Sequence, residues 1–135
     1  MQRDAMQFGF HHVALIVGDY SVSKAFYCDV LGLEILAENY REDRGSWKLD
    51  LALACGGQLE LFSFPDSPAR ASRPEACGLR HLAFRVSDLD DAVAALKSRL
   101  VRFEPIRIDE YTGRRFTFFQ DPDGLPLELY EVPNI

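Results

Sequence analysis

The chain has 135 residues, of which 47% are hydrophobic and 27% charged, and this predicts one globular domain that is stable without disulfides. A net charge of −6 argues against nucleic acid or an anionic membrane as the main partner, and no apolar run reaches the ~20 residues of a membrane span. Residues 1–7 lack the apolar stretch of a signal peptide, and the three widely spaced cysteines indicate reduced thiols, so we expect a cytoplasmic protein.

The first half of the chain predicts a strand, a helix and three further strands. Residues 10–17 alternate in hydrophobicity like a strand. Asp19 and Ser21 supply capping groups for a helix that Gly32 ends. The apolar side chains of this helix recur at helical spacing: Val22, Ala25, Phe26, Val30 and Leu31. The three strands that follow are predicted at residues 33–40, 47–53 and 58–64.

The second half predicts the same order of elements. Asp88 caps a helix whose apolar set runs from Leu89 to Leu100, and residues 121–124 form a turn before the last strand. The strands of this half are predicted at residues 79–86, 103–108, 115–120 and 126–131. We therefore predict an α+β fold of two βαβββ modules within one domain. The domain covers residues 9–132, with module 1 at about 9–64, a linker at 65–78 and module 2 at about 79–132.

A histidine and a glutamate recur at matching places in both modules. His12 opens the first strand of module 1 and Glu60 lies in its fourth, while His81 and Glu128 occupy these places in module 2. His81 lies 69 positions after His12, and Glu128 lies 68 positions after Glu60. Because side chains alternate across a strand, each of the four falls opposite the aliphatic face that packs under a helix. We predict that they share a concave face and bind one divalent metal per site. His11 is one residue out of register, so we expect it to be structural or to support the ligands without binding the metal itself.

The motifs HVALIVGD, FYCDVLGLE, LELF, RHLAFRVSD and DPDGLPLELYE resemble those of the vicinal oxygen chelate superfamily. That superfamily includes glyoxalase I, bleomycin resistance proteins, fosfomycin-resistance enzymes, methylmalonyl-CoA epimerase and extradiol dioxygenases. The likeness covers about residues 9–132, and stretches such as YREDRGSWKLDLAL look like the small bacterial YaeR-type, glyoxalase-like proteins. The resemblance implies paired βαβββ modules that curl as a mixed sheet around one metal, with the four residues above as its ligands.

The donor set favours chemistry without a redox change. Two imidazoles and two carboxylates suit Zn, Ni, Co or Mn. In the superfamily's dioxygenases a histidine stands where this chain has Glu60, which argues against iron. We expect a glyoxalase-like (lactoylglutathione lyase-like) lyase or isomerase, in which the ion is a Lewis acid on a small oxygenated substrate or thiol adduct. The resemblance makes Glu128 the catalytic base and Glu60 the opposing catalytic carboxylate.

The expected substrate contacts depart from those of glutathione enzymes. In bacterial glyoxalase I, an arginine and an asparagine that help hold glutathione stand where this chain has Ile16 and Phe64. We expect the following side chains to contact the substrate: Phe62, Phe64, Arg114, Phe118 and Tyr130. Three arginines are further candidate contacts for an anion: Arg41, Arg80 and Arg85.

Two other classes of function stay open at this point. One is a different enzyme of the superfamily, namely an epimerase, a thiol transferase or a dioxygenase. The other is a resistance protein that sequesters a small molecule, although such proteins lack the metal ligands. Chains of this size in the superfamily usually dimerise, so we expect a homodimer whose sites lie within one chain or are shared by two.

Overall fold

In a computed structural model that describes residues 6–134, the chain forms two four-stranded sheets, each with a helix packed on one face. The elements of module 1 are β1 (His12–Val17), α1 (Tyr20–Ala25) continued by a π-helical turn (Phe26–Val30), β2 (Glu34–Arg41), a 3-10 turn (Glu42–Arg44), β3 (Ser46–Ala52) and β4 (Gln58–Ser63). Those of module 2 are β5 (Leu82–Val86), α2 (Leu89–Lys97), β6 (Arg107–Ile108), β7 (Arg115–Gln120) and β8 (Pro126–Glu131). The predicted pair of βαβββ modules is confirmed.

The two sheets have the same topology and remain separate. Their strand orders are β1-β4-β3-β2 and β5-β8-β7-β6, with the first pair parallel and the other pairs antiparallel. The strands do not join into a single closed sheet. β1 and β5 are therefore edge strands, each paired through hydrogen bonds on one side only.

Both helices begin where the sequence predicts, and the second ends earlier than expected. The carboxylate of Asp19 accepts a hydrogen bond from the Val22 backbone, and that of Asp88 accepts one from Asp91. The second helix ends at Lys97, so Leu100 lies outside it with a positive φ of 69° and is 91% exposed. Leu100 was expected on the apolar face of the helix and is not part of the core.

One predicted strand is much shorter in the structure. The strand expected at residues 103–108 forms only at Arg107–Ile108. Pro105 lies within this stretch, and proline is depleted in strands because it has no backbone N–H to contribute to a ladder. Glu104 still donates its N–H to the Phe118 carbonyl at 2.9 Å, which keeps the segment beside β7.

The core lies between the sheets and their helices and includes residues of both modules. Its fully buried leucines alternate along the strands: Leu49, Leu51, Leu59, Leu61 and Leu127. In β1 the burial alternates as predicted, with Leu15 and Val17 buried and His12, Ala14 and Ile16 exposed. Burying the aliphatic face under the helix leaves the opposite face of the sheet for other contacts. Among the described residues, no helix is long and apolar enough to cross a membrane.

The modules join through the helical side of module 1 and the turn between β7 and β8. The buried Tyr27 hydroxyl donates to Asp121 Oδ2 at 2.8 Å, and the Gly18 backbone N–H donates to Asp123 Oδ1 at 3.0 Å. Asp121 Oδ1 also accepts the backbone N–H groups of Asp123 and Leu125, both at 2.9 Å. One buried carboxylate thus shapes the turn and fixes it against the other module.

Candidate metal centre

The first candidate pair lies on two adjacent parallel strands of module 1. His12 begins β1, Glu60 is central in β4, and the register sets Ala14, two residues after His12, opposite Glu60. His12 Nδ1 lies 3.4 Å from Glu60 Oε2. The histidine is exposed and the glutamate is 7% exposed. A nearly buried carboxylate beside an imidazole is a donor pair that suits a divalent ion.

The second pair repeats this geometry in module 2. His81 immediately precedes β5, Glu128 lies in β8, and the register sets Ala83, two residues after His81, opposite Glu128. His81 Nε2 lies 3.2 Å from Glu128 Oε1. The same offset between strands therefore brings the same two residue types together in both halves of the chain.

The surroundings of the two glutamates differ. Glu60 is opposite Asp50 on β3, and Lys48 Nζ lies 2.7 Å from Asp50 Oδ1 and 3.7 Å from Glu60 Oε1. Glu128 is instead opposite Phe118, whose ring meets the His81 ring edge-on at 5.2 Å. Module 1 therefore gives its glutamate a charged environment, and module 2 gives its glutamate an aromatic one.

Burial changes the acidity of Glu128. It raises the pKa of the Glu128 carboxyl, and the nearby charge of Asp109 acts in the same direction. His81 and Arg107 lower this pKa, but the net shift is upward.

His11 lies closer to the first pair than strand alternation predicts. Its Nδ1 is 2.8 Å from His12 Nδ1, and one ligand atom each from His11, His12 and Glu60 all lie within 4.8 Å. The alternation of side chains along a strand does not apply to His11, because β1 begins one residue later, at His12. The close approach of the two rings requires one nitrogen to donate and the other to accept.

The two His–Glu pairs do not meet within the chain. Over residues 6–134, the group of His11, His12 and Glu60 is the only set of three or more potential ligands packed this closely. The second pair instead faces a cavity of about 600 Å³, which His81, Glu128 and Phe118 line together with residues 70–73 and 75–80. Neither His12 nor Glu60 lines this cavity.

The expected substrate contacts lie on both sheets. Phe62 and Phe64 stack in parallel at 6.3 Å in module 1. In module 2, Tyr130 donates to Asp109 Oδ2 at 2.9 Å and is hydrogen-bonded to Thr112, so its ring is held in place. Arg114 is exposed.

The sequence analysis missed two residues of the site, Lys48 and Asp50. Both lie in β3 on the face of Glu60 and alternate with the fully buried Leu49 and Leu51. Strict alternation of charged and aliphatic residues in a predicted strand was the signal that could have identified them.

Comparison with known proteins places these observations in a family. A protein-family model described as Glyoxalase/Bleomycin resistance protein/Dioxygenase superfamily matches residues 9–129. The uncharacterized protein YaeR of Escherichia coli (strain K12) is 66% identical over 90% of this chain and 94% of its own length. YwkD of Bacillus subtilis (strain 168) is 60% identical over the same shares. The crystal structure of SMU.1112c has a TM-score of 0.89 at 46% identity and covers 93% of this chain and 100% of its own.

More distant relatives have different named activities. The 2-epi-5-epi-valiolone epimerase of Actinomyces sp is 31% identical over 91% of this chain and 79% of its own length. The metallothiol transferase FosB of Staphylococcus epidermidis is 31% identical over 90% and 82%. The structure of a lactoylglutathione lyase from Agrobacterium tumefaciens has a TM-score of 0.69 at 25% identity and covers 91% of this chain and 92% of its own.

Proposed function

This chain belongs to the Glyoxalase/Bleomycin resistance protein/Dioxygenase superfamily, and on that premise we propose that it is a metal-dependent lyase or isomerase of glyoxalase type. One observation carries the proposal: a His–Glu pair recurs at the same strand register in both modules, on the sheet faces opposite the helices. Two buried carboxylates, each beside an imidazole, fit a divalent ion of the Zn, Ni, Co or Mn type. Such an ion supplies Lewis-acid chemistry, which polarises a carbonyl oxygen.

Each residue of the proposed site has its own role. His12, Glu60, His81 and Glu128 are the proposed ligands. Glu128 is the proposed base, which takes the proton from the substrate carbon and returns it to the neighbouring carbon, the role that the resemblance to glyoxalase I implies. Glu60, whose Oε1 lies 3.7 Å from Lys48 Nζ, is the opposing carboxylate.

We propose that the complete site is shared by two chains. The two His–Glu pairs are separate in one chain, and β1 and β5 each leave one edge unpaired. Large apolar side chains are exposed on and before β1, namely Phe8 (85%), Phe10 (71%) and Ile16 (62%). A twofold dimer that sets module 1 of one chain against module 2 of the other covers this surface and forms two four-ligand sites.

An epimerase is a second candidate, because it also requires a proton to leave and return to carbon. The observation in its favour is that the two glutamates come from different modules and can approach a substrate from different sides. The 31% identical epimerase is a relative of this kind. Product analysis distinguishes the two, since a glyoxalase-type isomerase moves hydrogen between neighbouring carbons and an epimerase inverts one centre.

Metal analysis tests the ligand assignment. The wild-type protein is expected to bind one divalent metal per chain, and His81→Ala and Glu128→Gln are expected to lose most of it. The control is Glu34→Gln, since Glu34 is an exposed residue of β2 outside the proposed site. Full metal content in His81→Ala and Glu128→Gln contradicts the assignment.

A further inference from the structure

The side chain of Arg41, the last residue of β2, packs against two aromatic rings. Its guanidinium carbon lies 5.1 Å from the centre of the Phe62 ring and 5.7 Å from that of Phe64. The two rings are nearly parallel, with an interplanar angle of 6°. One terminal nitrogen of Arg41 donates to Ser46 Oγ at 2.7 Å. Two aromatic faces and a hydroxyl group thus hold the guanidinium in one orientation.

The charge of Arg41 has no carboxylate partner among the described residues. No carboxylate oxygen there lies within 4.0 Å of its guanidinium, and its Nε is buried without a hydrogen-bond partner. Three cations on neighbouring strands of the two sheets do have carboxylate partners: Lys48 with Asp50, Arg107 with Glu104 and Arg115 with Glu131. A partly buried donor that lacks a partner is costly, and a bound anion offsets that cost.

The position of Arg41 relates it to the proposed metal site. Phe62 follows Glu60 by two residues in β4, so their side chains lie on the same face about 7 Å apart. A small molecule bound beside Glu60 therefore needs only a few bonds to reach the guanidinium above Phe62. Lys48 Nζ lies 5.9 Å from the centre of the same ring, but its charge is already paired with Asp50, so Arg41 is the cation left for an anion here.

We propose that Arg41, supported by Phe62, Phe64 and Ser46, binds an oxyanion group of the substrate. The substrate class is a small oxygenated molecule with chelating oxygens at one end and a carboxylate or phosphate at the other. A planar, fixed guanidinium matches either group with paired hydrogen bonds. The inference rests on the proposed metal site, because the chelating end of the substrate is placed there.

Calorimetric titration of the metal-loaded protein with three hydroxy acids tests the subsite. Lactate has the 2-hydroxycarboxylate chelating group alone, malate adds a second carboxylate, and 3-phosphoglycerate adds a phosphate. We expect malate or 3-phosphoglycerate to bind at least about tenfold more tightly than lactate, and the better of the two identifies the group recognised. Arg41→Gln should abolish this preference, whereas Arg44→Gln should retain it, because the Arg44 side chain is 62% exposed and lies beside Asp43.

A second variant keeps the test decisive where Arg41→Gln fails to fold. Arg41→Lys preserves the charge and removes the planar fork, so it should retain only part of the preference. The subsite is overturned if the wild type binds all three acids equally or binds neither malate nor 3-phosphoglycerate. It is also overturned if the Arg41 variants keep the preference or if Arg44→Gln loses it. Metal content is measured first: a wild-type protein that takes up no metal refutes the proposed function, whereas a loaded protein without the preference refutes the subsite alone.

Discussion

Two inactive variants should restore metal sites when they are combined, if the site is shared between chains. The first variant, His12→Ala/Glu60→Gln, lacks the module 1 pair. The second, His81→Ala/Glu128→Gln, lacks the module 2 pair. Each keeps one intact pair, and each homodimer is expected to lose nearly all tightly bound metal because every site contains a damaged half.

The amount of metal that the mixture should recover follows from the pairing of modules across a twofold axis. After complete subunit exchange of an equal mixture, about half of the dimers contain one chain of each kind. In such a heterodimer one site combines both damaged pairs and the other combines both intact pairs. The mixture should therefore recover about one quarter of the wild-type metal, and the purified heterodimer about one half.

The assay is metal content after gel filtration in the presence of a weak chelator, with a different affinity tag on each variant. Light scattering on the same samples reports the mass, which is 15.3 kDa for one chain. The unmixed variants are the controls. Heterodimers that form and hold no more metal than the unmixed variants would refute the shared site, and a 15.3 kDa monomer that holds a full metal equivalent would refute the dimer itself.

Three further predictions concern thiol use, stability and pH dependence. In steady-state kinetics, turnover of the methylglyoxal–glutathione adduct should stay well below a kcat/KM of about 10⁶ M⁻¹s⁻¹. The reason is that Phe64 stands where bacterial glyoxalase I has a polar residue that helps hold glutathione. Tyr27→Phe should lower the free energy of unfolding by roughly 1.5–3 kcal/mol in denaturant titration, because the buried Asp121 carboxylate loses a charged hydrogen bond. The pKa of Glu131 is lowered to about 2 by hydrogen bonds from Arg115 and the Leu89 N–H, so its stabilising contribution is present above about pH 4.3 and is lost as the pH falls towards 2. Glu131→Gln should accordingly be less stable at pH 7, and its acid-induced loss of stability should be smaller than that of the wild type.

Matched changes serve as controls for these predictions. Tyr111 is 89% exposed, so Tyr111→Phe should change the free energy of unfolding by less than about 0.5 kcal/mol. Glu34 is an exposed strand residue, and Glu34→Gln should leave the acid transition unchanged. Efficient turnover of the glutathione adduct, a fully stable Tyr27→Phe protein, or parallel acid transitions for Glu131→Gln and wild type would each contradict the corresponding reasoning.

The module plan could be predicted from the sequence because it depends on local patterns. The alternation in β1 and β4 determined which face His12 and Glu60 occupy, and the repeat extended the prediction to module 2. The short strand at Arg107–Ile108 could have been anticipated from Pro105, which cannot donate to a ladder. The position of His11 could not, since it depends on the residue at which the strand begins.

The separation of the two His–Glu pairs could not be predicted from the sequence. It depends on how the modules pack, which involves contacts across long sequence distances such as the hydrogen bond from Tyr27 to Asp121. Nothing in the local sequence around Tyr27 or Asp121 indicates that the two residues are hydrogen-bonded to each other. The unpaired charge of Arg41 likewise requires knowledge of which carboxylates lie nearby in three dimensions.

The different neighbours of Glu60 and Glu128 have a stereochemical consequence. A planar carbonyl carbon has two faces, and a site with mirror-like walls would offer both the same environment. Here one wall presents Lys48 and Asp50, and the other presents the Phe118 ring. In the proposed shared site, a substrate held between module 1 of one chain and module 2 of the other is expected to bind in one orientation and to receive its proton on one face. Because the two modules share one backbone plan but differ in the side chains beside their glutamates, we predict a product of a single handedness.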